Sequence, residues 1–377
     1  MKINSYDISF LDSENDLNHP SVVYARKAFQ FLKAGKPVLF LPSEPVEWTS
    51  PHLNQKTRGA GTRIFYTGGT SGSPQPVFHD DASIKNAYLG LSERVEESKL
   101  NSVCCLPLHH VGGWMQVERA MKFGGRVFFC DYHDLINQDL RTIISERWIS
   151  LVPTQLFELI KSPTACRNLR KASGIFLGGG RLPKVLAEKA RGENIPLCPC
   201  YGMTETAGMI TLLKSGDFLN GQDGVGEELS HVSIRSLRTD NQIIVRTKSL
   251  CFRKGDQILD QNEWLFTMDS GTKKEGIGWQ IGTRLDRTIK SGGEKVNPSV
   301  IEDTILQSGI VEKCIVSGIK DDRWGEKVVV YLVMEKSKLG CLKEQTKLKL
   351  KNHEYPKEWN LVDHLPISEM GKFRMKS

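Results

Sequence analysis

The sequence predicts an α/β protein, with a large N-terminal domain of α/β sheets, a small β-subdomain appended to it, and a small, mobile α+β domain at the C-terminus. Two observations predict this class. Short apolar runs typical of buried strands alternate with amphipathic stretches typical of helices, which favours a largely parallel sheet covered by helices. In addition, 377 residues exceed what one compact core usually contains.

The elements can be assigned in chain order. Buried strands are expected at 38–41, 103–106, 126–130, 174–177 and 243–245, and helices at 83–99, 138–146 and 183–191. Residues 224–266 contain β-type runs separated by turn residues, which indicates a small antiparallel sheet or barrel. The last part has its own helix and strand patterns after a short polar join. We therefore expect domains at residues 1–283 and 284–377.

Composition and charge limit the classes of function. No apolar run approaches the roughly 20 residues that cross a bilayer, and the first residues lack the apolar core of a secretory signal, so we expect no membrane span. Nine cysteines without a C-x-x-C pair favour the reducing cytoplasm. The net charge of +7 suits anionic small molecules, and no RNP-type, zinc-finger or helix-turn-helix pattern supports a nucleic-acid partner. Whether the protein forms a homo-oligomer is left open.

A loop rich in glycine and hydroxyl side chains follows the apolar pair Ile64 and Phe65. Glycines let backbone N–H groups point at an anion and the hydroxyls add donors, so the loop suits phosphate. It is not a Walker A loop, because G-x-x-x-x-G-K-[ST] cannot be aligned to it. A flexible surface loop is the alternative. The candidate phosphate-binding residues are Thr67, Gly68, Gly69, Thr70, Ser71 and Gly72.

This loop resembles the phosphate-binding signature T-S-G-T-T-G-x-P-K of the adenylate-forming superfamily, which contains acyl-CoA synthetases, firefly-type luciferases and carrier-loading adenylation domains. Four further motifs follow in the order of that family. They are Y-G-x-T-E at 201–205, T-G-D at 267–269, G-R-x-D…K-x-x-G at 282–296, with an extra residue between Gly282 and Arg284, and P-x-x-x-x-G-K at 366–372. Five ordered motifs argue against chance. The chain is identified as a member of this superfamily, whose fold matches the expectation above.

The resemblance implies a nucleotide site. Glu205, beside Thr204, would hold Mg²⁺ through a carboxylate oxygen with phosphate and water; a solvated glutamate is the alternative. Tyr201 would stack on adenine against the backbone of a glycine triplet. Asp269 would accept hydrogen bonds from the ribose hydroxyls, and Arg284 would also contact the ribose. The triplet consists of Gly178, Gly179 and Gly180.

Residues 106–121 look most like the acid-binding segment of the o-succinylbenzoate-CoA ligases of menaquinone synthesis. There His110 would close the acid pocket; a packed core histidine is the alternative. Arg119 lies in an otherwise apolar helical stretch, and a buried arginine needs an anionic partner. The resemblance implies that this partner is the second carboxylate of the substrate. Gly202 is also assigned to the acid site.

The terminal motif and the hinge segment imply a moving C-terminal domain. The ammonium group of Lys372 would stabilise the charge that develops when a carboxylate attacks the α-phosphate of ATP, although terminal lysines are usually solvated. The domain would then pivot at Asp286 and present a second face to coenzyme A. The residues of that face are Lys290, Gly292 and Gly293.

The function predicted by this resemblance is an ATP-dependent acid–CoA ligase that uses ATP, Mg²⁺ and coenzyme A, with o-succinylbenzoate as the expected acid. Two departures from the motifs leave alternatives open. Gln75 replaces the lysine that ends the phosphate loop, and Met268 replaces the glycine before Asp269. One alternative is a ligase for another aryl or fatty acid, or one that loads a carrier protein. The other is a non-catalytic, nucleotide-binding paralogue.

Overall fold

The structure is a computed structural model that describes residues 18–47, 61–67 and 74–365. Within these ranges the α-helices are α1 Pro20–Lys33, α2 Asp81–Val95, α3 Val111–Phe123, α4 Asp134–Asn137, α5 Arg141–Ile144, α6 Pro153–Leu159, α7 Pro163–Leu169, α8 Lys184–Gly192, α9 Ser215–Leu219, α10 Pro298–Leu306 and α11 Leu339–Lys349. None of these helices combines the length and the apolar composition that a membrane-crossing helix needs.

The strands of the same ranges are grouped into four sheets. They are β1 Val38–Phe40, β2 Pro45–Glu47, β3 Arg63–Tyr66, β4 Pro76–His79, β5 Ser102–Cys104, β6 Val127–Phe129, β7 Trp148–Leu151, β8 Gly174–Leu177, β9 Leu197–Met203, β10 Gly208–Leu212, β11 Glu227–Glu228, β12 Val232–Ser236, β13 Gln242–Thr247, β14 Arg253–Lys254, β15 Gln257–Ile258, β16 Leu265–Lys274, β17 Gly278–Arg284, β18 Ile289–Ser291, β19 Glu294–Val296, β20 Lys313–Asp321, β21 Gly325–Val333 and β22 Glu358–Leu361.

The central sheet has the order β11-β10-β9-β8-β7-β5-β6, and its strands from β5 to β9 are parallel. Every residue of β7 and β8 is buried, as expected for parallel strands covered on both faces. A second sheet, β15-β14-β4-β3-β1-β2, lies earlier in the chain and carries the phosphate-loop hairpin β3–β4. The predicted mixed α/β class is confirmed.

The predicted appended β-subdomain exists as the antiparallel sheet β12-β13-β16-β17. The runs in 224–266 do not all belong to it, however. β11 pairs with β10 of the central sheet, and β14 pairs with β4 of the second sheet. This segment therefore connects three sheets, and it brings Lys254 opposite Val77 beside the phosphate-loop hairpin.

The predicted helix at 138–146 is wrong in its extent, because only the single turn α5 forms inside that range, and a break separates it from the turn α4, which ends at Asn137. The side chain of Asn168 makes the break. Its oxygen accepts a hydrogen bond from the backbone N–H of Leu140, and its amide donates to the carbonyl oxygens of Leu135 and Gln138. These bonds satisfy backbone groups that a continuous helix would have paired internally.

The chain after β17 forms a five-stranded sheet, β19-β18-β21-β20 with β22 beside β21, packed against α10 and α11 around its own apolar cluster. Polar contacts join this part to the earlier part of the chain. Glu158 and Lys161 of the α6 region lie 2.6 and 2.8 Å from Lys313 and Glu312, respectively. Arg181 contacts α10 through Asp303 and the carbonyl of Ser299. The domain boundary at 283/284 stays a prediction.

Candidate functional site

Three of the predicted nucleotide-site residues meet where β9, β16 and β17 come together. The Tyr201 hydroxyl donates a hydrogen bond to Asp269 Oδ2 at 2.7 Å. Asp269 and Arg284 are register partners across β16 and β17, with Arg284 Nη1 3.6 Å from Asp269 Oδ1. Burial and the Asp269 carboxylate raise the pKa of Tyr201 well above its usual value, so the phenol remains a donor. The Tyr201–Asp269 bond, between residues 68 positions apart, was not predicted from the sequence.

Met268 does not displace Asp269, although it occupies the position of the family's glycine. The Asp269 N–H donates to the Thr267 hydroxyl at 3.1 Å, and that hydroxyl donates in turn to the carbonyl of Ile243 at 2.8 Å. The Met268 side chain is exposed. The backbone that presents Asp269 is therefore fixed by Thr267, and it does not need glycine at the residue between them.

The glycine triplet follows β8 and lies against the neighbouring strand. A Cβ on Gly178 would lie 3.0 Å from Cys200 Sγ, and one on Gly179, whose φ is +74°, would lie 3.1 Å from Val152 Cγ1. Because Tyr201 directly follows Cys200, the bare backbone of the triplet and the tyrosine are carried by adjacent strands. Such an arrangement can accept a flat ring against the backbone.

Position 202 requires glycine for a steric reason that was not predicted from the sequence. A Cβ at this position would lie 2.0 Å from the carbonyl oxygen of Gly208 and 2.5 Å from the Cα of Met209. Both are backbone atoms of the partner strand β10, so neither can move aside cheaply. The close approach of β9 and β10 requires glycine here, whether or not Gly202 also contacts a ligand.

Thr204 and Glu205 lie in a single 3₁₀ turn that joins β9 to β10. The carbonyl oxygen of Thr204 accepts a hydrogen bond from His79 Nε2 at 2.7 Å, and that of Glu205 accepts from Cys251 N at 2.8 Å. Burial lowers the pKa of His79 to about 4, so its imidazole is neutral at physiological pH. Neutral His79 thus positions the turn, a role for which a single histidine in the sequence offered no signal.

The Glu205 carboxylate is paired with a lysine that was not predicted from the sequence. Its Oε1 lies 2.8 Å from Lys254 Nζ, and the Glu205 side chain is 13% exposed. Among the described residues no group of three or more His, Cys, Asp and Glu side chains could hold a metal ion. One carboxylate suits Mg²⁺ that is also bound by phosphate oxygens and water, which is its usual coordination beside nucleotides.

Arg119 lies on α3, and His110 directly precedes this helix. The Arg119 side chain is 5% exposed, and its Nε and Nη1 have no hydrogen-bond partner among the residues that the structure describes. Its guanidinium lies 5.7 Å from the centre of the Phe176 ring. Burial lowers the pKa of Arg119 to about 10, so the group is still charged at neutral pH. A buried, charged and incompletely bonded guanidinium favours the binding of an anion.

The acid next to Arg119 in the sequence is not that anion. Glu118 accepts two hydrogen bonds from Arg63, at 2.6 Å from Nε and 3.0 Å from Nη2, and a third from Trp114 Nε1 at 2.7 Å. Arg63 is a β3 residue, so this pair ties α3 to the strand that leads into the phosphate loop. This pair was not predicted from the sequence, because nothing local distinguishes Arg63 from a surface arginine.

His110 is the residue before the first turn of α3, with extended backbone and a half-buried side chain whose ring centre lies 4.1 Å from that of His109. Its predicted role in the acid pocket stays a prediction. Gly68, Gly69, Thr70, Ser71, Gly72 and Lys372 lie outside the described residues. Thr67 lies inside them, and its N–H donates to the carbonyl of Gln75 at 2.9 Å across the base of the loop.

The hinge segment begins directly after β17. Asp286, in the turn Leu285–Arg287, accepts two hydrogen bonds from Arg284, at 3.0 and 2.7 Å. Gly292 and Gly293 form the turn between β18 and β19 with φ of +60° and +84°, values that favour glycine. Lys290, on β18, is exposed. The two glycines are thus required by the hairpin, independently of any coenzyme.

Comparison with known proteins identifies the family of this chain. The family described as "AMP-binding enzyme" matches residues 25–244, and "AMP-binding enzyme C-terminal domain" matches residues 300–372. The chain is 30% identical to a 2-succinylbenzoate–CoA ligase of Bacillus cereus and 28% identical to that of Listeria innocua; each match covers 82% of this chain and 68% of the relative. It is also similar to the solved o-succinylbenzoate CoA synthetase from Bacillus subtilis in complex with the acyl-adenylate intermediate OSB-AMP, with a TM-score of 0.70 and 25% identity over 82% of this chain and 67% of that one.

Proposed function

The chain belongs to the AMP-binding enzyme family, and we propose from this premise that it is an ATP-dependent acid–CoA ligase that converts o-succinylbenzoate to o-succinylbenzoyl-CoA in menaquinone synthesis. The observation that supports this acid is the buried guanidinium of Arg119, whose Nε and Nη1 lack partners among the described residues. o-Succinylbenzoate has two carboxylates. One reacts, and the other would pair with Arg119, which removes the cost of a buried unpaired charge.

The nucleotide is proposed to lie along the adjacent ends of β8, β9 and β16. Adenine would occupy the space between the glycine triplet and Tyr201, and the ribose hydroxyls would donate to Asp269, which Tyr201 and Arg284 already hold in place. Glu205 would contribute one oxygen ligand to Mg²⁺, which would screen the charge of the phosphates. The Mg²⁺ requirement and a cytoplasmic location are parts of this proposal.

The reaction is proposed to proceed in two steps. A carboxylate oxygen of the acid attacks the α-phosphorus, the new O–P bond forms, and pyrophosphate leaves with the electrons of the broken P–O bond. Lys372 would stabilise the negative charge that develops during this step. Residues 284–377 would then pivot at Asp286, and the coenzyme A thiolate would attack the acyl carbon and displace AMP. The hairpin turn of Gly292 and Gly293 would allow the pantetheine chain to pass close to the backbone.

The test is ATP–pyrophosphate exchange, measured with o-succinylbenzoate and with an aryl acid that lacks the second carboxylate. We expect exchange with the dicarboxylic acid in the wild type. Arg119→Leu should raise the KM for that acid at least about tenfold, because a charge-assisted hydrogen bond is lost, and it should change the KM for the monocarboxylic acid little. Arg126→Leu, an exposed arginine just after α3, is the matched control.

Two outcomes would contradict the proposal. If the wild type shows ATP–pyrophosphate exchange with neither acid, the proposed adenylating activity is wrong. If Arg119→Leu raises the KM for both acids equally, Arg119 does not recognise the second carboxylate. The argument for o-succinylbenzoate as the substrate then fails.

A further inference from the structure

The exit of the phosphate loop lacks the positive charge that the family signature places there. Gln75 occupies that position, and its side chain is exposed and uncharged. Its backbone closes the base of the loop, because its carbonyl accepts the Thr67 N–H at 2.9 Å. ATP carries several negative charges on its β- and γ-phosphates, so the loss of one cation at this point would weaken its binding unless another cation replaces it.

A lysine from a different part of the sequence lies beside this exit. The strand β14 pairs with β4 directly after the loop, so Lys254 is opposite Val77 and the Gly255 N–H donates to the Pro76 carbonyl at 2.8 Å. A Cβ on Gly255 would lie 3.6 Å from the side-chain amide carbon of Gln75. The backbone that carries Lys254 is therefore in contact range of the residue that lacks the charge.

The side chains of Lys254 and its neighbour Arg253 make different contacts. Arg253 stacks over the Phe78 ring at 5.1 Å, donates to the Gly255 carbonyl at 2.7 Å and lies 3.3 Å from Asp256. Lys254 instead lies 2.8 Å from the Glu205 carboxylate, and its side chain is 33% exposed. A lysine has a flexible four-carbon stem, so its ammonium group can turn from Glu205 to a phosphate without a change of backbone.

We propose that Lys254 binds the β- and γ-phosphates of ATP in place of the loop lysine that Gln75 replaces. This inference rests on the proposed function. Without nucleotide, Lys254 neutralises the partly buried Glu205 carboxylate. With nucleotide bound, Glu205 faces the metal ion and Lys254 faces the phosphate oxygens, so the pair separates and each charge retains an opposite charge nearby.

The test measures binding rather than turnover. Calorimetric titration of Lys254→Gln should show an affinity for ATP about tenfold lower than that of the wild type, and an unchanged affinity for AMP, which lacks the β- and γ-phosphates. Adding Gln75→Lys to Lys254→Gln should restore most of the affinity. Lys274→Gln, an exposed lysine at the end of β16, is the matched control.

A second measurement uses the unmodified protein. Lys254 should be protected from an amine-labelling reagent by ATP more than by AMP, as mass spectrometry of its peptide would show. Equal protection by the two nucleotides, or an ATP affinity of Lys254→Gln equal to that of the wild type, would overturn the inference and leave the proposed function intact. Failure of the wild type to bind ATP at all would instead overturn the proposed function.

Discussion

The buried pair Arg63–Glu118 should dominate the stability of the region that carries Arg119. The two side chains are 2% and 1% exposed. Glu118→Leu leaves a buried guanidinium without its main partner and the Trp114 indole N–H without its acceptor. Breaking a buried ion pair from one side costs about 3–5 kcal/mol, and the indole adds about 1 kcal/mol. Because domains are stable by about 5–15 kcal/mol, this loss would be a large fraction of the total.

The assay is a double-mutant cycle by urea unfolding, with Arg63→Met, Glu118→Leu and the double variant. The double variant replaces the pair by apolar side chains and should be more stable than Glu118→Leu alone. Glu47→Leu, which breaks the exposed pair with Lys36, is the control and should cost less than about 1 kcal/mol. Additive losses in the cycle, or a loss below about 1 kcal/mol in Glu118→Leu, would refute the reasoning.

Burial holds the pKa of His79 at about 4, against 6.5 in the unfolded chain, so the contribution of neutral His79 to stability is fully present above pH 6.5. This contribution, about 3 kcal/mol, should be lost as the pH falls from 6.5 to 4. Unfolding titrations of His79→Gln should not show this loss of stability. Gly202→Ala should prevent or strongly destabilise folding, whereas Gly192→Ala, where a Cβ meets nothing, should be neutral or slightly stabilising in thermal melts. Lys372→Ala should lose ATP–pyrophosphate exchange but still transfer a supplied acyl-adenylate to coenzyme A; equal loss of both half-reactions would contradict the pivot.

The parts of the site that follow from local motifs could be predicted, and the parts that depend on sheet pairing could not. Asp269 and Arg284 belong to recognisable motifs, so each was a candidate from the sequence alone. Their pairing across β16 and β17, and the hydrogen bond from Tyr201, follow from strand register. Register depends on the whole packed face of a sheet, which no single motif contains.

The residues that were not predicted from the sequence each have a contact partner that is distant in the sequence. Lys254 meets Glu205 because β14 leaves its own neighbourhood and joins the second sheet. Asn168 binds the backbone at the start of a predicted helix about thirty positions earlier, so that the helix begins only at Arg141. In both cases the local sequence is ordinary, and the contact exists only because tertiary pairing overrides local preference.

The contacts that join α6 and Arg181 to the part of the chain after β17 have a consequence for motion. Lys161–Glu312 and Lys313–Glu158 are ion pairs between partly exposed side chains, so each contributes little and is weakened by dissolved ions. A rotation at Asp286 would have to separate them. Higher ionic strength should therefore make separation of the α6 region from residues 312 and 313 more frequent. If this separation limits turnover, the turnover rate should rise as salt is added.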